Sequence, residues 1–243
     1  MISLGFALAT TRLVKKQVVV RKLPSSETLG RVTVICTDKT GTLTKSRMEV
    51  VDIHTADDQA KKHMFLAAAL NHNVDVMHEN GTEKLLGDPT EVALVRRAII
   101  SGAHPEKKLR QYPKMDEIPF TSERKMMTTI HEYQSKKVAY TKGAPERILS
   151  IASYELVGGK EKKITPKRRD EIHKEYEEMA KEGLRVLGYA YKNGAFTSRT
   201  KDETIESDMV FLGFLGMQDP ARDEVPDSIA ACHKAGIRVV MVT

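Results

Sequence analysis

The residues with the clearest chemical potential lie together in "VTVICTDKTGTLT", residues 32–44. A run rich in Val and Ile ends on Asp38, and Lys39, Thr40, Gly41, Thr42 and Thr44 follow at once. A carboxylate at the end of an apolar strand sits where open α/β sheets place ligands. It can attack a phosphorus atom and form an aspartyl-phosphate. Lys39 can neutralise phosphate charge, and Gly41 lets backbone approach a ligand closely. The threonine hydroxyls and nearby amides can donate to phosphoryl oxygens. A strand end with an ordinary turn would not require all of these together.

The elements around this cluster follow from patterning. "RVTVICTD" is almost continuously apolar, as in a strand buried on both faces, and residues 17–22 also read as β. Helices are expected over "DDQAKKHMFLAAALNHN", with Asp57 or Asp58 at the start, and over "GDPTEVALVRRAIISG", with Pro89 early and Gly102 as the stop. Strands are expected at "DEIPF", "KMMTTIHEY" and "KKVAYTKG", a short helix at "APERILSIAS", and a hairpin across Gly158–Gly159. "TPKRRDEIHKEYEEMAKEG" is the clearest helix. Thr165 caps it, Pro166 occupies its first turn, Gly183 ends it, and Ile172, Tyr176 and Met179 form its inward stripe. "LRVLGYAYK" and "MVFLGFLGMQDP" read as strands, then "RDEVPDSIAACHKAG" as a helix and "IRVVMVT" as a strand. The two ends share a parallel α/β character, and the middle mixes antiparallel-type strands with helices. An α/β domain interrupted by a large insertion is expected.

Composition sets limits. The 243 residues carry a net charge of +6, with 40% hydrophobic and 30% charged residues. The basic residues are scattered, and seven Tyr, six Phe and no Trp are too few for a base-stacking surface, so no nucleic-acid partner is expected. Cys36 and Cys232 lie in apolar runs and read as buried free thiols. His63, His72, His78 and His173 lack metal-ligand spacing, and His104 in "AHPE" reads as a loop residue. Residues 1–14 are apolar and followed by basic residues. They fit either the cytoplasmic end of a membrane helix or an amphipathic surface helix.

"CTDKTGTLT" resembles, residue for residue, the phosphorylation motif of the P-type cation-transporting ATPases. Further segments resemble that family in the same order: "KLPSSETLG", "GDPTEVAL", "PFTSERKMM", "TKGAPERIL", "GLRVLGYA" and "MQDPARDEV". Together they cover nearly the whole chain and favour the calcium- and sodium-pump-like branch. The resemblance implies a Rossmann-like phosphorylation domain of haloacid dehalogenase type, incomplete here, interrupted by an inserted α+β nucleotide-binding domain with an antiparallel sheet. The implied boundaries are 1–16 for the end of a membrane or stalk helix, 17–45 and 211–243 for the two parts of the phosphorylation domain, and 46–210 for the nucleotide-binding domain.

The resemblance also assigns roles. Asp38, Lys39 and Thr40 are the catalytic set. Asp38 and the backbone carbonyl of Thr40 are the magnesium ligands. ATP is met by Glu91 at the adenine amine, Phe120 against the base, Lys125 near the nucleotide and Lys142 lining the adenine pocket. Arg185 serves the phosphates, and Asp219, Arg222 and Thr243 complete the set. Some members carry arginine two places after this Phe, where this chain has Ser122, and Ala221 replaces the second proline of a "DPPR" motif. Phosphatase relatives carry a second acid two residues after the nucleophile. Thr40 stands there instead, which suits a phosphoenzyme that persists.

The expected function is the cytoplasmic catalytic part of an ATP-driven, multi-pass membrane cation pump, with ATP and Mg2+ as ligands and the ion carried by membrane helices outside this sequence. The sequence stops at Thr243, before the motif's expected Gly-Asp and a later magnesium-binding aspartate, so ATP binding with little or no autophosphorylation is expected of these residues alone. The alternatives are an ATP-binding module without turnover and a soluble phosphatase of the same superfamily.

Overall fold

The computed structural model describes residues 11–15, 18, 28, 30–79, 82–197 and 199–242. The expectations for residues 1–10, for most of the strand at 17–22 and of "KLPSSETLG", and for Thr243 lie outside the described residues. The chain divides into two compact units, Met1–Ser46 with Ala221–Thr243, and Arg47–Pro220.

In the first unit, β1 (Val34–Asp38) pairs in parallel with β12 (Arg238–Val242), from Val34 opposite Arg238 to Asp38 opposite Val242. Helix α7 (Val225–Lys234) precedes β12, and Gly236 at φ +75° makes the turn between them. Only Gly takes that backbone without a Cβ penalty. The expected burial of β1 on both faces is not found. Four of its five residues are exposed, because β12 is its one strand neighbour among the described residues. Cys36 is accordingly exposed and Cys232 half-buried, and neither is the buried thiol that its apolar surroundings suggested.

The second unit is built on an eight-stranded sheet. Its order is β5 (Lys114–Ile118), β6 (Met126–Tyr133), β7 (Lys136–Gly143), β10 (Arg185–Gly194), β11 (Met209–Gln218), β8 (Ala152–Val157) and β9 (Lys160–Lys163). Strand β2 (Glu49–His54) pairs antiparallel with the last half of β11, while β8 pairs in parallel with its first half. All other pairings in the sheet are antiparallel. The expected domain boundary at residue 210 therefore falls inside β11. Nine of that strand's ten residues are buried, and its hydrogen bonds go to β10, β2 and β8.

Two apolar layers cover the sheet. On one face, α1 (Asp58–Leu70) and α2 (Pro89–Ile100) bury Met64, Leu70 and Leu94 against Val138, Tyr140, Tyr189 and Leu212. On the other, α4 (Pro145–Ile151) and α5 (Pro166–Lys181) bury Ile148, Ile172 and Met179 against Ala139, Ala190 and Phe214. The alternation of residues along β7 and β10 sends successive side chains into opposite layers, as a pleated strand requires. Asp57 caps α1 by accepting from the Gln59 and Ala60 amides, Asp88 caps α2, and Thr165 caps α5. The hairpin of β3 (Asp75–Glu79) and β4 (Thr82–Leu86), the helices α3 (Pro105–Gln111) and α6 (Asp202–Ile205), and β2 were not expected from the sequence. His104, read as a loop residue, is the residue that precedes α3.

Candidate functional site

Asp38 is the last residue of β1, exposed, with the tight loop 39–43 directly after it. Thr44, buried, organises that loop. Its amide and hydroxyl both donate to the Lys39 carbonyl, at 3.1 and 3.2 Å, and its Oγ1 accepts from the Gly41 amide at 3.1 Å. Gly41 stands at φ +78°, so the glycine serves the turn itself. Arg222 grips the outside of the loop. Its side chain donates to the carbonyls of Gly41 at 2.8 Å and Thr42 at 3.2 Å, and its amide donates to Leu43 at 2.9 Å. The carbonyl of Thr40, in extended backbone at φ −77° and ψ 120°, is not among these acceptors. Lys39 and Thr40 are exposed beside the carboxylate. The donor set of one carboxylate and one carbonyl is hard oxygen, which fits magnesium. Among the described residues no cluster of three or more His, Cys, Asp or Glu could hold a metal by itself.

The second unit gathers a different set. Strand register places Met126 opposite Gly143, and Gly143 opposite Gly188. The start of β6, the end of β7 and the start of β10 therefore meet at one end of the sheet, across about 10 Å at ordinary strand spacing. Phe120 follows β5 at that end, Lys125 precedes β6, Lys142 is the penultimate residue of β7, and Arg185 opens β10. Arg185 alternates in phase with Tyr189, which lies opposite Lys142, so both belong to the same face. The Phe120 side chain is 60% exposed, a bare aromatic ring in a unit whose other phenylalanines are buried. Gly143 is required by close approach, because a Cβ there would stand 2.5 Å from the Lys125 carbonyl oxygen.

Lys142 is 4% exposed. Its Nζ donates to Glu91 Oε2 at 2.5 Å and to the Asn71 carbonyl at 2.7 Å. Glu91 reaches it from the first turn of α2 and also accepts from the Asn73 amide at 3.4 Å. Burial pushes the ammonium below the usual lysine range, and the Glu91 charge opposes that shift. Asn71, fully buried at the end of α1, donates through Nδ2 to the Met127 and Tyr140 carbonyls. It ties the helix end to β6 and β7 beside the ion pair.

Residues 60–224 match the family described as "P-type ATPase, cytoplasmic domain N". The chain belongs to the P-type ATPase family. Across its whole length it is 36% identical to calcium-transporting ATPase 1 of Lactococcus lactis and 37% identical to calcium-transporting ATPase 1 of Bacillus cereus. It is 33% identical to the probable cation-transporting ATPase F of Mycobacterium tuberculosis. It spans 28%, 28% and 30% of these proteins, respectively. The mixed α/β architecture with its antiparallel sheet fits cytoplasmic domain N of a P-type ATPase.

Of the residues singled out in this P-type ATPase sequence, Glu91 and Lys142 touch, and Phe120, Lys125 and Arg185 share their end of the sheet. Asp38, Lys39, Thr40 and Arg222 form one local loop structure in the first unit. Arg222 binds backbone carbonyls of that loop with its guanidinium, which gives it a loop-holding position in the first unit. Asp219 accepts from the Arg47 amide at 3.1 Å, joining the two strands of chain at the edge of the second unit. Asn71, Arg124 and Glu206 were not singled out from the sequence. Asn71 reaches Met127 and Tyr140, and Arg124 reaches Glu206, over 56 or more residues, so no local pattern could mark these pairings.

Proposed function

We propose that this chain is the ATP-handling, cytoplasmic part of a membrane cation pump. ATP binds at the end of the sheet formed by β6, β7 and β10, and its terminal phosphate passes to Asp38. The observation that carries this reading is that Phe120, Lys125, Lys142 and Arg185 belong to one end of the sheet, where Lys142 pairs with Glu91. The exposed Phe120 ring offers a face for the adenine base. Lys142 supplies an apolar stem and, with Glu91, a polar edge for the base. Lys125 and Arg185, both exposed, supply positive charge for the phosphates.

In the transfer, an Asp38 carboxylate oxygen forms a bond to the γ-phosphorus. The bond from that phosphorus to the oxygen bridging the β-phosphate breaks, and ADP leaves with the electron pair. Thr44 and Arg222 hold the loop after Asp38 so that its carboxylate and the neighbouring amides keep their places. Lys39 offsets phosphoryl charge. Asp38 and the Thr40 carbonyl would hold magnesium, which when bound neutralises charge on the transferring group. Thr40 provides no carboxylic acid to activate water against the phosphoenzyme, so the intermediate persists. The relatives named for calcium and cation transport suggest the cargo class. Among the described residues no helix is long and apolar enough to cross a membrane, and the ion path is assigned to other segments of a longer protein.

Two measurements test this. Calorimetric titration of the 243-residue chain with ATP should show saturable binding, weakened about tenfold or more by Phe120→Ala, since base stacking on an aromatic ring is worth ~1–3 kcal/mol. Unchanged affinity in that variant would remove the proposed site. A longer protein containing these residues should take an acid-stable label from γ-labelled ATP, and Asp38→Asn should abolish it.

A further inference from the structure

The segment between β5 and β6 carries Phe120 and Lys125, yet it is a loop with few apolar anchors. One arginine side chain binds both of its ends. Arg124 Nη1 donates to the Pro119 carbonyl at 2.8 Å, and Nη2 donates to the Met126 carbonyl at 3.2 Å. The side chain thus staples the two ends of the segment that contains it. Nη2 also donates to Glu206 Oε1 at 2.7 Å. Arg124 Nε is buried with no partner among the described residues, so the guanidinium is held through Nη1 and Nη2 alone.

Glu206 comes from far along the sequence, just after α6, and is 7% exposed. Its Oε1 also accepts from the Thr128 hydroxyl at 2.6 Å, and Thr128 Oγ1 lies 2.7 Å from Thr141 Oγ1. With Thr128 donating to the carboxylate, Thr141 donates to Thr128. This buried row runs beneath β6 and β7, in the layer opposite Lys142, and ends next to it at Thr141. A buried carboxylate held by an arginine and a hydroxyl fixes geometry more firmly than a solvated pair.

The loop it holds is strained. Lys125 has φ +54°, a region costly for a residue with a Cβ. Its amide donates to the Thr121 carbonyl at 2.8 Å and its carbonyl accepts from the Ala144 amide at 2.9 Å. Arg147 Nε donates to the Arg124 carbonyl at 3.2 Å. Strained backbone of this kind persists only where the surroundings over-determine it.

The geometry points to Arg124 and Glu206 as a positioning pair that presents Phe120 and Lys125 to the nucleotide, so that ATP affinity depends on an ion pair that contacts no ligand. This rests on the nucleotide site proposed above and adds a determinant to it. Arg124→Lys keeps a charge for Glu206 but cannot span the Pro119 and Met126 carbonyls together. Glu206→Gln keeps an acceptor and the shape but loses the charge.

The test is ATP titration of the 243-residue chain for wild type, Arg124→Lys, Glu206→Gln, Phe120→Ala and the double variant Arg124→Lys/Phe120→Ala. Urea unfolding run in parallel confirms that each is folded at the titration temperature. The expected result is a loss of about five- to tenfold in ATP affinity for Arg124→Lys, a smaller loss for Glu206→Gln, and little further loss when Arg124→Lys is added to Phe120→Ala, because coupled residues are non-additive. A purely structural role would give affinity losses that add in the double variant, and that outcome overturns the inference. Unchanged affinity in Arg124→Lys overturns it too. Unchanged affinity in Phe120→Ala removes the underlying site instead, which separates the two failures.

Discussion

Acid should destabilise the larger unit through its desolvated imidazoles, the half-buried His63 and His72 foremost, with the buried His131 shifted in the same direction. His63 is stacked on Tyr191, with ring centroids 4.2 Å apart, and its Nε2 lies 3.3 Å from the Tyr140 hydroxyl. His72 Nδ1 accepts from the Val74 amide at 3.1 Å. Burial pushes both down to about 4, for His72 with help from the Lys142 charge. Below pH 6.5 the unfolded chain binds a proton at each site that the folded chain refuses. Stability is therefore fully present above about pH 6.5 and is lost as pH falls towards 4. With pKa values of 6.5 unfolded and 4 folded, each imidazole removes about 2 kcal/mol between pH 7 and pH 5, so the pair removes about 4 kcal/mol. That is a large part of an ordinary domain's ~5–15 kcal/mol. Asp57 is held low chiefly by the Gly158 amide and loses its contribution only below the usual carboxylate range, outside this window. The assay is urea unfolding followed by far-ultraviolet circular dichroism at pH 7 and pH 5, for wild type and His63→Phe. Phenylalanine keeps the ring stack and cannot titrate. The variant should lose about 2 kcal/mol less than wild type between the two pH values. Equal losses, within about 0.5 kcal/mol, would refute the assignment of the acid sensitivity to this ring.

Gly143→Ala should reduce both stability and ATP binding, because the new methyl meets the Lys125 carbonyl and Met126 backbone, which cannot swing away. A loss of about 1–3 kcal/mol in unfolding free energy, read from urea titration, is expected for such overpacking. Arg168 binds Glu155 through two contacts, at 2.8 and 3.0 Å, and Glu175 at 2.9 Å, joining α5 to β8. Arg168→Met would leave the Glu155 carboxylate, 6% exposed, without its counter-ion, at a cost of about 2–3 kcal/mol once the arginine's own partial exposure is allowed for. Adding Glu155→Gln should recover part of that loss in the same unfolding experiment.

Much of this protein was legible in its sequence because the signals were local. The cap at Thr165, the proline at 166 and the glycine at 183 bound α5 within a few residues of where it stands, and the apolar run 209–217 read as a strand. "DKTGTLT" specified its loop through Gly41 and Thr44, which act on neighbours five residues away or nearer. Tertiary structure decided what depended on distant partners. Among the described residues the same apolar pattern is solvent-exposed in β1, with one strand beside it, and buried in β11, with three, so exposure followed the number of neighbours and not composition. β11 joined the larger sheet because β10, β2 and β8 bind its edges, which no feature of its own residues announces. Arg222 holds the carbonyls of a loop some 180 residues earlier in the chain, a contact that only the fold creates. The arginine at 124 and the glutamate at 206 are ordinary charged residues in sequence. Only the folding of residues 82 positions apart brings them into one partly buried contact, where a shielded carboxylate strengthens their pairing.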